Sequence, residues 1–200
     1  NMPKIFRFII SSIVALFLAS NVVPPLVYAS EVSNYSQISS LVEEVDKKLS
    51  KPLELSEDQI DRLIKEKKSL YPELDEEQMR EIAYRVMSPY SSRASVWDGQ
   101  GVTLSEFAWA FDLIVGTLIS GYATLGKYAA KHGVAAARSI LSRSAKAAAK
   151  RVGVLSGYIS RIIENVVAVV NIYYNVGYSL AQLIDANDYY KNNGRINAWA

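Results

Sequence analysis

The chain has 200 residues, half of them hydrophobic, and its formal net charge at pH 7 is +2. This apolar content is enough for a sizeable core, and it excludes a chain that is disordered throughout. The complete absence of cysteine excludes a disulfide scaffold, thiolate zinc sites and cysteine nucleophiles.

Residues 1–29 have the pattern of a secretory signal peptide. Lys4 and Arg7 precede an uncharged apolar run, and residues 27–29, VYA, form a small-residue cleavage signal. Two prolines interrupt the apolar run before it reaches bilayer length. We therefore expect export with cleavage after Ala29, with an uncleaved membrane anchor as the alternative. Export without cysteine is typical of secretion by Gram-positive bacteria.

Residues 30–93 are acidic, with fourteen Asp and Glu against ten Lys and Arg. Apolar residues at helical spacing predict three short helices, one containing Ile38 and two that follow capping-box signals at Ser56 and Asp75. Two interpretations remain open for this segment. It is either a solvated helical lobe or a pro-region that shields the basic half of the chain until release.

Residues 94–102 have the composition of a linker, because serine, glycine and proline accumulate around them and the helical period lapses. Arg93, among small residues, is a candidate for proteolytic cleavage. Thr103 then begins another capping box, with Glu106 three residues later. The linker therefore separates the acidic segment from a second domain over residues 103–200.

Residues 103–200 are basic and hydrophobic, with six Asp and Glu against ten Lys and Arg. The first predicted helix runs from Thr103 to Lys131 and carries small residues, including Gly116 and Gly126, at three- and four-residue steps. Gly153 and Gly157 form a further G-x-x-x-G step. Such glycine-zipper spacing predicts close helix packing, either within a membrane or inside a soluble bundle.

The second predicted helix, residues 134–152, is rich in alanine and cationic side chains. At helical spacing, five basic residues gather on one broad arc. Such a face suits an anionic membrane surface, and a solvated face of an alanine-rich helix is the alternative. Nucleic acid is disfavoured as a partner, because no reading motif accompanies the charge. The predicted basic face consists of Lys131, Arg138, Arg143, Lys146 and Lys150.

The run from residue 165 to residue 184, NVVAVVNIYYNVGYSLAQLI, has twenty residues and no formal charge. As one helix it is long enough to span a bilayer, but Asn171, Asn175 and Gln182 fall on a polar stripe. A polar stripe suits a pore edge or a seam between helices in a homo-oligomer. The alternative is the core helix of a soluble bundle with one wet edge.

The sequence predicts no catalytic residue, cofactor site or metal site. His132 is the only histidine, and a lone histidine at a helix junction is usually a capping or surface residue. None of the sequence motifs for a nucleophile elbow, a phosphate loop or a zinc helix is present. We therefore expect a protein that is not an enzyme.

The fold class predicted from these patterns is all-α, a bundle of acidic amphipathic helices and a hydrophobic, glycine-containing helical hairpin. With its signal peptide, the segment VWDGQGVTLSEFAWAFD and the terminal NNGRIN, the chain resembles small helical secreted proteins of Gram-positive bacteria, some of them bacteriocin precursors. The resemblance covers residues 96–197 and implies a membrane-active protein. The alternative function is a secreted helical module that binds a protein partner at the cell surface.

Overall fold

The computed structural model describes the backbone of residues 25–90 and 101–199, with side chains described from Ser36 onward. The predicted signal peptide therefore lies outside the described residues except for residues 25–29, and so does the predicted linker except for residues 101–102. The described chain divides into two compact units, one up to Ser40 and one from Leu41 onward.

The prediction of an all-α fold is confirmed, because the described residues form eight α-helices, one 3-10 turn and two very short strands. No described helix is sufficiently long and apolar to cross a bilayer. The elements are α1 (Pro25–Leu49), α2 (Glu57–Lys67), a 3-10 turn (Lys68–Leu70), α3 (Glu76–Met87), β1 (Val102–Thr103), α4 (Leu104–Leu118), α5 (Leu125–His132), α6 (Val134–Arg151), α7 (Gly157–Val167), α8 (Val176–Asp185) and β2 (Arg195–Ile196).

The three predicted capping boxes are all present. Ser56, Asp75 and Thr103 each accept a hydrogen bond from the backbone N–H three residues later. The side chain at that later position accepts one from the backbone N–H of the cap residue. These reciprocal bonds satisfy donors that a helix start otherwise leaves unpaired. They fix where α2, α3 and α4 begin.

The predicted helix from Thr103 to Lys131 is wrong as one element, because the chain breaks between α4 and α5. Gly121 adopts a φ of 91° there, a conformation that side chains disfavour. Thr124 then caps α5 by accepting from the backbone N–H of Lys127. The uncharged stretch from residue 113 to residue 126 is thus divided between two helices.

The prediction that residues 165–184 form one helix is also wrong. Helix α7 ends at Val167 and α8 begins only at Val176. Asn175 adopts the left-handed conformation at a φ of 40°, which asparagine tolerates better than most residues. The predicted polar stripe therefore does not exist as one line along a helix.

Helix α4 occupies the centre of the second unit and packs against α3, α6 and α8. Ten of its fifteen residues are buried, so apolar side chains surround it on nearly every side. A single hydrophobic core includes Ile60 and Met79 from the acidic segment together with Phe107, Ile140 and Ile163 from the basic one. The compact unit therefore runs across the predicted boundary between residues 30–93 and 103–200.

Two buried donors join the acidic helices to the C-terminal helices. Trp109 on α4 donates from Nε1 to the Met79 carbonyl of α3 at 2.8 Å. Arg151, at the end of α6 and 1% exposed, donates to the carbonyls of Val86, Leu49 and Lys51. Burial lowers the pKa of the Arg151 guanidinium. The group nevertheless stays charged, because arginine loses its proton only far above neutral pH.

The two strands form a short antiparallel ladder that the sequence did not predict. Val102 pairs with Ile196 and Thr103 pairs with Arg195. Gly101 lies so close to β2 that a Cβ atom there would stand 2.1 Å from the Ile196 carbonyl oxygen. Only glycine fits at this position, and the ladder fastens the C-terminal segment to the start of α4.

Candidate functional site

The predicted glycine-zipper residues are not brought together. Gly116 and Gly157 are exposed, and a Cβ atom added at either would meet no other atom within 4 Å. Gly153 adopts a φ of 89° just after α6. Gly126 makes a close contact, because a Cβ atom there would lie 2.7 Å from the ring of Tyr173.

The five residues of the predicted basic face make different contacts. Arg143 pairs with Asp46 of α1 at 2.9 Å, and Lys146 pairs with Glu164 of α7 at 2.5 Å. Arg138 donates to the carbonyls of Val167 and Val170. Lys131 and Lys150 are exposed, and neither has a carboxylate within 4.0 Å in the described part of the chain.

The chain between α7 and α8, residues 168–175, is an anchored loop with apolar side chains in solvent. Val170 and Ile172 are each only 2% exposed and fix the loop to the core. Before and after these anchors, three large side chains point outward: Val169 is 72% exposed, Tyr173 66% and Tyr174 76%. These fractions are high for large apolar or aromatic residues in a folded unit.

The conformation of this loop is fixed by polar contacts as well. The Asn171 side chain accepts a hydrogen bond from the Tyr173 N–H at 2.9 Å, which is an Asx turn. Arg138 holds the carbonyls at the end of α7, where a cation also interacts favourably with the helix dipole. The predicted residues Asn171 and Asn175 therefore shape the loop, while Gln182 is an exposed residue of α8.

Exposed lysines lie on α5, the helix that the loop contacts. Tyr173 packs on Gly126 of α5, and Lys127 is the next residue along that helix. Lys131 lies one turn further on the same side as Lys127. We call the set Val169, Tyr173, Tyr174, Lys127 and Lys131 the basic–aromatic surface. It contains one residue of the predicted basic face, and its three loop residues were missed because the sequence placed them in a continuous helix.

A polar cleft of about 230 Å³ lies beside the start of α4. Its charged groups already have partners within the protein. Glu106 accepts from the Thr103 N–H at 2.8 Å, Arg195 donates to the Gly101 carbonyl at 3.3 Å, and Glu73 accepts from the Ser105 hydroxyl. The cleft is lined by Glu73, Leu74, Gln78, Gly101, Thr103, Glu106 and Arg195. The carboxylates and the guanidinium group of the cleft therefore help to hold β1, α4 and the C-terminal segment together.

The two aspartates of the C-terminal segment order its backbone. Asp185 accepts from the N–H groups of Asn193 and Gly194, each at 3.0 Å, and Asp188 accepts from those of Tyr190 and Asn197. Within the described ranges, no three acidic or histidine side chains are grouped so that they could hold a metal ion. The aspartates act as turn-forming groups that hold β2 in place.

Asp112 on α4 is a partly buried carboxylate at the contact with the acidic segment. Tyr71 donates to it at 2.7 Å, and Lys67 lies 3.8 Å away. Burial raises the pKa of Asp112, while Lys67 and the hydrogen bond from Tyr71 act in the opposite direction. Burial, and next the charge of Asp112, raise the pKa of Tyr71, so its hydroxyl remains a proton donor.

One contribution to the pH dependence of stability follows from the raised pKa of Asp112. A carboxyl group whose folded pKa exceeds its unfolded value, about 4, stabilises the fold in its protonated form, and this contribution is lost as pH rises through the folded pKa. Asp112→Asn keeps an acceptor for Tyr71 and removes the charge. We expect it to reduce the loss of stability between pH 4 and neutral pH, as measured by urea unfolding. An unchanged or steeper loss would contradict this account.

No family model matches the chain, and comparison with curated proteins and with solved structures finds no match either.

Proposed function

We propose that this chain is a secreted helical bundle that acts as a binding module at a cell surface, with the basic–aromatic surface as its contact site. One observation carries the proposal. The apolar side chains of α4, α6, α7 and α8 pack into a core with the acidic helices, whereas Val169, Tyr173 and Tyr174 stay exposed on an anchored loop. The sequence pattern of residues 1–29 supports export.

The loop has the physical properties of a contact site. Tyrosine offers a large amphipathic area with little side-chain entropy to lose on binding. Because Val170 and Ile172 are buried and Asn171 closes a turn, the loop is already ordered before a partner arrives. A pre-organised contact loses less free energy on binding than one that must order first.

A membrane-permeabilising function, of the kind that the bacteriocin resemblance implies, stays a prediction. It would require the C-terminal helices to leave a core in which Ile140, Ile163 and Leu180 are at most 1% exposed. Dye release from anionic liposomes separates the two functions. We expect the full chain to cause no release, because binding through one loop leaves the core intact, and release would favour the permeabilising function.

The cell-surface role is tested by where the mature protein accumulates. We expect the full-length chain, expressed with its N-terminal segment in a Gram-positive host, to be retained on the cell surface. Tyr173→Ser combined with Tyr174→Ser should shift most of it into the medium, since these changes remove both exposed aromatic rings of the loop.

The matched control is Tyr189→Ser with Tyr190→Ser, a second adjacent pair that is about half exposed and lies after α8. This control should be retained like the wild type. Circular dichroism and urea midpoints establish that both variants are folded. Equal retention of the two variants and the wild type would overturn the proposal.

A further inference from the structure

We infer that the partner of the basic–aromatic surface is an anionic lipid bilayer, contacted peripherally. This inference rests on the proposed function and names its partner. Charge is the first argument. From residue 113 to residue 163 the sequence contains no Asp or Glu. Eight basic residues occur over the same range: Lys127, Lys131, Arg138, Arg143, Lys146, Lys150, Arg151 and Arg161.

Five of these cations have hydrogen-bond or ion-pair partners within the protein, which leaves Lys127, Lys131 and Lys150. The first two lie on α5, the helix that the loop contacts. Lys127 and Lys131 are exposed on α5, and neither has a carboxylate within 4.0 Å among the described residues. After burial, the charge of Glu44 on α1 is one of the causes that raise the pKa of Tyr128, which lies on α5 with the two lysines. Glu44 is itself paired with Lys48 at 2.9 Å. The lysine pair therefore presents positive charge on the helix that the exposed loop contacts.

The side chains of the loop suit the interfacial region of a bilayer. Tyrosine is enriched at headgroup depth, where its ring contacts acyl chains and its hydroxyl contacts water. Val169 adds an apolar side chain, and the long stems of the lysines allow their ammonium groups to reach anionic headgroups. Apolar insertion and electrostatic attraction then act together, as in other peripheral contacts.

A protein partner is the competing occupant, and the composition argues against it. Lysine is depleted at the centres of protein interfaces, although tyrosine is enriched there. Close to an anionic bilayer, by contrast, each lysine strengthens attachment about 5-fold at low salt. Lipid therefore accounts for both residue types in the surface, whereas a protein interface accounts for one.

The test is sedimentation of the full chain, purified as the host exports it, with vesicles of phosphatidylcholine alone or with about a third phosphatidylglycerol. We expect binding to the phosphatidylglycerol vesicles that weakens as salt is added. Lys127→Gln with Lys131→Gln should weaken it about 30-fold at low salt. Lys47→Gln with Lys65→Gln, two exposed lysines of α1 and α2, is the matched control and should bind like the wild type.

The outcomes separate the lipid inference from the proposed function. Equal binding to both vesicle types, no binding at low salt, or full binding by the Lys127 and Lys131 variant would each overturn the lipid inference. If the tyrosine variant is nevertheless lost from cells while the wild type is retained, the binding module stands and its partner is not lipid. Vesicle binding together with normal cell retention of the tyrosine variant would overturn the proposed function alone.

Discussion

Replacing Trp109 with alanine is expected to lower the free energy of unfolding by about 3–5 kcal/mol, the range for large aromatic residues in cores. Trp109 is 1% exposed, and its ring centroid lies 6.1 Å from that of Tyr71. Truncation removes this packing, leaves a cavity between α3 and α4, and deprives the Met79 carbonyl of its donor. A buried acceptor without a partner adds to the loss.

Urea unfolding followed by circular dichroism measures this effect. Trp199→Ala is the matched control, because Trp199 is 45% exposed and its loss should change stability by less than about 0.5 kcal/mol. A single cooperative transition is expected in the wild type, since both halves share one core. Two separate transitions, or equal stability of the two variants, would contradict that shared core.

Arg151→Ala is also expected to lower the free energy of unfolding strongly, because each buried carbonyl left without a donor costs about 1–3 kcal/mol. The guanidinium donates hydrogen bonds to the carbonyls of Leu49 and Lys51, at the end of α1, and of Val86, in the last turn of α3. Alanine would leave these acceptors without donors and open a cavity where the side chain had been. Both penalties act only in the folded state.

Arg151→Met helps to separate these contributions, because methionine fills part of the volume without supplying donors. We expect the free energy of unfolding of Arg151→Met to lie between that of Arg151→Ala and that of the wild type, measured by the same urea titration. Lys150→Ala, the exposed neighbour on α6, is the control and should behave like the wild type. An Arg151→Ala protein as stable as that control would show that the three hydrogen bonds contribute little.

Features set by neighbouring residues were predictable from the sequence. The capping boxes at Ser56, Asp75 and Thr103 depend on residues three positions apart, so their pattern can be read directly. The helix break at residues 168–175 was missed, although Asn171 and Asn175 were visible in the run. Hydrophobicity alone does not separate a membrane-length helix from two core helices joined by an apolar loop, because both bury the same residue types.

Features set by distant residues could not be predicted. The sequence counts Arg151 and Arg143 simply as cations, and only the fold brings one to backbone carbonyls and the other to Asp46. For the candidate site, Lys131 was identified from its position on a basic helix face. Tyr173 and Tyr174 were not, since their exposure depends on the burial of Val170 and Ile172 and on Arg138 from another helix.

The ladder between β1 and β2 constrains the order in which the protein can be completed. Val102 is synthesised long before its partner Ile196, so the ladder can form only after all the residues between them have emerged. Contacts between such distant positions form slowly. This late closure makes the ladder one of the last parts of the described fold to form.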